Sequence, residues 1–158
     1  MNQDRRQALK AAGGVSLVAL LAAAGWLKPG VAAAAEAWNQ AAFSTHSMDE
    51  TMKALGGTAP AQSHDIAFFS TPDIAENGAV VPIGITSKVP KTESIAILIE
   101  KNPNMLAAVF DIPPGTEPSL STRVKMGQTS NVYALVKADG KYFVTAKEIK
   151  VTLGGCGG

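Results

Sequence analysis

A single cysteine, Cys156, stands between two pairs of glycines in the run Gly154-Gly155-Cys156-Gly157-Gly158. It is the only cysteine in the 158 residues, so no intramolecular disulfide is open to it. A thiolate is a nucleophile that forms and breaks S–S bonds readily. Glycine loses the most backbone entropy on ordering, so four of them around one residue predict a flexible arm over 154–158. Three residue steps beyond Leu153 give the thiol a reach of about 10 Å. The chemistry that suits such a group is covalent carriage. A substrate sulfur joins as a mixed disulfide-like adduct, and the tether raises its local concentration at each partner's active site. No charge within the tail activates the thiol, so activation is expected from a partner's pocket.

Nothing else in the chain offers a competing chemistry. The two histidines, His46 and His64, are distant from each other and from Cys156. A copper site of the His/Cys/Met type needs histidine near the cysteine, and Cys156 has only glycine beside it. No Ser/His/Asp constellation can be assembled. The carboxylates Glu76, Glu93, Glu100 and Asp111 fall at turns and strand ends, where solvated charge is the expectation. The domain is therefore expected to catalyse nothing, to hold no metal and to need no cofactor. Residues 1–35 hold four of the fourteen basic groups and one of the thirteen acidic ones. The remainder balances at −2, with no basic patch, which argues against a nucleic-acid partner.

The N-terminus reads as an address. Arg5-Arg6 precedes a mildly apolar stretch from Ala11 to Leu27, and Val31-Ala32-Ala33-Ala34-Ala35 supplies small residues for cleavage. Gly13, Gly14 and Gly25 break the apolar stretch, and it falls short of the roughly 20 apolar residues a spanning helix needs. The arginine pair, with Leu9 and Lys10 behind it, predicts a twin-arginine signal over 1–35 and a periplasmic destination, with no membrane association after cleavage. Ala8 replaces the usual aromatic of that signal. No lipid anchor through a lipobox is expected, because no cysteine lies near the cleavage zone.

The elements that must present the arm follow from the rest of the sequence. Residues 36–57 read as a helical segment: Trp38, Ala41, Ala42 and Phe43 at helical spacing, then a capping box at Ser47–Glu50. Met48, Met52 and Leu55 form an apolar stripe that Gly56-Gly57 stops. Residues 58–153 alternate short Val/Ile/Thr/Phe runs with turns. Strands are predicted at Asp65–Ser70, Ala79–Ser87, Ser94–Glu100, Ala107–Ile112, Ser119–Met126, Asn131–Ala138 and Lys141–Thr152. Asp139-Gly140 signals a type I′ hairpin. Seven short strands predict a mainly β, immunoglobulin-like antiparallel β-sandwich, with the helical segment detached from it and open sheet edges awaiting a second protein.

Pro72-Asp73-Ile74-Ala75-Glu76-Asn77-Gly78-Ala79-Val80-Val81-Pro82, Glu100-Lys101-Asn102-Pro103, Lys125-Met126-Gly127-Gln128-Thr129-Ser130 and the terminal pentapeptide resemble the SoxY family. SoxY is the sulfur-carrier subunit of the thiosulfate-oxidising Sox system, and the likeness spans essentially the whole chain. The resemblance implies a complex with SoxZ, a second small sandwich protein. It implies that the c-type cytochrome SoxAX joins thiosulfate to Cys156, and that the dimanganese hydrolase SoxB then releases sulfate. A sulfane dehydrogenase, where present, oxidises the sulfur left behind. Gly154, Gly155, Gly157 and Gly158 match the swinging arm, and haem and manganese belong to the partners. Two other readings stand beside this one. A ubiquitin-like carrier would use a C-terminal Gly-Gly as a thiocarboxylate, but it works in the cytoplasm and needs no cysteine. A structural β-sandwich with an incidental tail thiol would lose nothing with its last five residues.

Overall fold

The computed structural model describes residues 38–152. The proposed leader over 1–35 and the arm over 154–158 lie outside the described residues. The chain divides between Trp38 and Asn39, and the unit from Asn39 onward is described here.

Two apolar clusters account for the layers. β5 (Thr92–Ile99) and β8 (Ser130–Ala138) are the central strands of a sheet ordered β1-β9-β8-β5-β6. Its other members are β1 (Ala61–Gln62), β9 (Lys141–Val151) and β6 (Leu106–Asp111), and β3 (Ile74–Ala75) also pairs with β9. Side chains alternate across a strand, so Ile95, Ile97 and Ile99 face one way, with Val132 and Val136 beside them. They meet Ile66, Val81, Ile83 and Ile85 from a three-stranded sheet, β2-β4-β7. That sheet consists of β2 (Ile66–Phe69), β4 (Val81–Ser87) and β7 (Ser119–Val124). Each fully buried Ile or Val in this cluster contributes about 1.5–3 kcal/mol relative to exposure. The sandwich is thus immunoglobulin-like and mainly β, and every pairing is antiparallel except where β1 and β3 join β9 in parallel.

The intervening residues Ala96, Leu98 and Leu135 turn to the opposite face of the larger sheet. There they form a second cluster with Ala42, Met52, Met105, Leu106 and Val144. A sheet strand buried on both faces needs a cover on each side, and here the cover is the helical segment. It comprises a 3₁₀ turn, Ala42–Ser44, and the helix α1, Met48–Ala54. The Tyr142 hydroxyl donates to the Leu55 carbonyl at 3.0 Å. The helical segment is therefore a third layer, not the detached element expected. The unbroken Ile-Ala-Ile-Leu-Ile run of β5 carried that information.

Local chemistry sets the ends of α1. Ser47 is extended, and its hydroxyl accepts from the Glu50 N–H at 3.3 Å. The returning carboxylate accepts from His46 N–H at 2.8 Å, not from Ser47, so the capping box is shifted by one residue on that side. At the other end Gly57 N–H donates to Met52 and Gly56 N–H to Lys53. This is the crossed pattern that needs a left-handed residue, and Gly56 has φ +72°. Asp139 and Gly140 both have positive φ and close the β8–β9 hairpin as expected for a type I′ turn.

Candidate functional site

Cys156, Gly154, Gly155, Gly157 and Gly158 lie outside the described residues; the structure describes the root from which that tail leaves. The root is the end of β9, and backbone bonds hold it on its outer flank. Lys150 N–H donates to the Asp73 carbonyl at 2.9 Å and Thr152 N–H to the Ala75 carbonyl at 3.1 Å. Val151 N–H donates to the Thr129 hydroxyl at 3.0 Å. Every backbone donor from Lys150 to Thr152 therefore has a partner, and the chain is held to its last described residue.

Three stretches far apart in sequence build this brace. In 125–130, the Lys125 carbonyl accepts from the Asn102 amide at 2.7 Å, and Gly127 N–H donates back to Asn102 Oδ1 at 3.3 Å. Lys101 N–H donates to the Ser130 hydroxyl at 3.0 Å. Residues 125–130 are thereby tied to 100–103. In 72–82, the Gly78 carbonyl accepts from Met126 N–H at 2.7 Å. A Cβ at position 78 would stand 2.4 Å from the Met126 carbonyl oxygen and 2.8 Å from Val151 Cγ1, so only glycine permits this approach. Lys147 Nζ donates to the Thr71 carbonyl at 2.6 Å and pairs with Asp73 at 2.9 Å, pinning the start of the same stretch. Turn backbones at a sheet end need partners for their polar groups. Here they find them in one another.

The other candidate residues do not gather. His46 Nδ1 faces the Pro103 carbonyl, while His64 is exposed. Among the described residues no cluster of His, Cys, Asp and Glu could hold a metal. No helix among them is long and apolar enough to cross a membrane. Glu93 accepts from Gly140 N–H and pairs with Lys137, and Glu76 and Asp111 are exposed. Glu100 accepts from Asn131 and from the Tyr133 hydroxyl. Burial, and then the charge of Glu100, push the Tyr133 phenol above its ordinary value. Two residues that sequence reasoning passed over are Ile74 and Val80, apolar side chains left exposed beside the root.

The family model described as sulfur oxidation protein SoxY matches residues 51–156, a span that contains the whole brace and ends on Cys156. Among solved structures, the sulfur carrier protein SoxY from Chlorobium limicola f thiosulfatophilum is 35% identical, with a TM-score of 0.60. The match covers 66% of this chain and 96% of that one. A superoxide reductase (neelaredoxin) from Ignicoccus hospitalis is 18% identical over 56% of this chain and 81% of its own. Its TM-score of 0.49 is too low to argue from. No curated protein matches the chain.

Proposed function

The chain belongs to the SoxY family of sulfur oxidation proteins, and on that premise we propose that it carries thiosulfate-derived sulfur covalently on Cys156. The observation that carries this reading is a lone cysteine four residues past Thr152, tethered to a strand end whose backbone donors are all partnered. In loading, the thiol loses its proton and its sulfur bonds to the outer sulfur of thiosulfate. Two electrons leave in one-electron steps to oxidised c-type haem supplied by a partner cytochrome. The product is Cys156–S–S–SO₃⁻. Water then attacks the sulfonate sulfur in a hydrolase partner, the S–S bond breaks, and hydrogen sulfate departs from a persulfide on Cys156. The chain itself supplies the nucleophile, its tether and a rigid origin for that tether. It acts as a carrier rather than an enzyme, in complex with SoxZ, in the periplasm after twin-arginine export.

Mass analysis of the complex after incubation with thiosulfate and the loading cytochrome tests this directly. The expected adduct is one thiosulfate on the Cys156 side chain, absent from Cys156→Ser. Sulfur found on the terminal carboxyl instead, or undiminished turnover in Cys156→Ser, refutes the reading. Gly154→Pro with Gly155→Pro fixes two successive φ angles and adds bulk while leaving the thiol in place. Turnover by partner enzymes should then fall by on the order of a hundredfold, with small-reagent labelling of the thiol unchanged.

A further inference from the structure

Among the described residues four large apolar side chains are exposed: Trp38, Phe69, Ile74 and Val80. Trp38 belongs to the preceding unit of the chain. The Phe69 ring lies over Gly84 within its own sheet. The two that remain are Ile74, at 56% exposure and on the strand paired with the root, and Val80, at 49% exposure in the loop that packs on it through Gly78. Ile74 is in register with Lys150, and Gly78, two residues before Val80, lies against Val151.

Their exposure is built in. Ala75 turns into the inner core, so Ile74 on the same short strand must face outward. The Asp73 and Ala75 carbonyls on either side of it hold Lys150 and Thr152. Val81 is likewise in the core, and the turn before Val80 is closed by Ala79 and Val80 N–H donating to Asn77. Both side chains are thus offered to solvent by backbone that is hydrogen-bonded in place.

Tether length says what covers them. Cys156 is four residues beyond Thr152, so its Cα stays within about 14 Å of the root in any conformation. An enzyme that reacts with its sulfur must bring its own surface against this end of the domain. We infer that Ile74 and Val80 form the apolar centre of the surface on which such an enzyme docks, meeting an apolar rim at the mouth of a narrow cleft. This rests on the carrier role proposed above and adds to it the place of contact.

The test uses the full carrier complex, the loading enzyme and thiosulfate. Ile74→Thr and Val80→Thr keep β-branching, and the second also keeps shape. Together they should raise the enzyme's KM for the carrier about tenfold, as loss of exposed anchors does, with kcat at saturating carrier within about twofold. The rate of Cys156 labelling by a small thiol reagent should not change. An unmoved KM overturns the inference. So does loss of SoxZ binding in the pair, which would assign the patch to the subunit interface. If Ile74→Thr lowers the melting temperature, Val80→Thr alone carries the test, since Val80 lies outside any strand. Cys156→Ser in the same assay separates the two ideas. Turnover surviving that change refutes the carrier role; turnover lost there with KM unmoved by the threonines refutes only the docking surface.

Discussion

Replacing Gly78 with alanine probes whether the brace around the tail root is as rigid as its bonds suggest. Gly78 is not in a left-handed conformation, so the substitution carries no backbone strain of its own. The effect is steric. The new methyl would stand 2.4 Å from the Met126 carbonyl oxygen, where real Cβ atoms essentially never come within 3.0 Å, so the loop must retreat by at least about 0.6 Å. Overpacking of this kind costs about 1–3 kcal/mol. The Met126 N–H bond to the Gly78 carbonyl, 2.7 Å long, is stretched or broken in the retreat, at about 1 kcal/mol more. A total of about 2–4 kcal/mol lowers the melting temperature by roughly 8–16 °C in a domain of this size. Gly127→Ala is the control. It sits in the same brace, its φ is not positive, and nothing lies within 4 Å of its Cβ position, so its melting temperature should hold or rise slightly. Thermal denaturation compares the two, and amide exchange at Val151 and Thr152 locates the damage. If Gly78→Ala melts within about 2 °C of wild type, the end loops yield freely and the root is not braced as described.

Two further changes test neighbouring contacts. Tyr133→Phe should flatten the alkaline limb of the stability curve. The folded phenol is held above the ordinary value of about 10, so its contribution is intact below that pH and is lost as pH rises through the folded value. Identical limbs in urea titrations from pH 9 to 11 would contradict this. Lys147→Met should cost about 1–2 kcal/mol and change little in high salt, because the buried side of the contact is the Thr71 carbonyl. Asp73 is 88% exposed, so Asp73→Asn should cost under about 0.5 kcal/mol; equal losses from the two variants would make the ion pair the important bond.

The seven longer strands were legible because each is an apolar or β-branched run that buries at least one residue and is followed within three residues by Pro, Gly or Asn. β1 and β3 were not. Each is two residues long, too short for alternation to show, and both pair in parallel with a strand far along the chain. The Tyr142 hydroxyl that holds α1 down reaches a carbonyl 87 positions back, a contact no local pattern announces. The stretches 72–82, 100–103 and 125–130 stood out in the sequence as the motifs that carry the family resemblance. That they meet at the root depends on bonds such as Asn102 to Lys125, spanning 23 residues, and Lys147 to Thr71, spanning 76. Cys156 stood out by uniqueness and by its glycines, yet its surroundings are what a sequence conveys least. Exposure of Ile74 and Val80 follows only once their neighbours Ala75 and Val81 are known to face inward.

The parallel pairing of β1 and β3 with β9 also orders events in time. β9 is the last strand in sequence among the described residues, yet it lies inside its sheet, between β8 and segments synthesised far earlier. Its hairpin with β8 is local and can close within microseconds. The contacts along its outer flank, Ala61 with Phe143 near its start and Ile74 with Lys150 at its end, close loops of 82 and 76 residues. Such closure entropy must be overcome before the contacts reward it, which places domains rich in them in the millisecond-to-second range. The root of the tail is therefore among the last parts of the molecule to set during folding. A chain caught part-way has the end of β9 loose and the stretch 72–82 not yet hydrogen-bonded to it. Only the finished domain fixes the point at which Thr152 leaves the sheet.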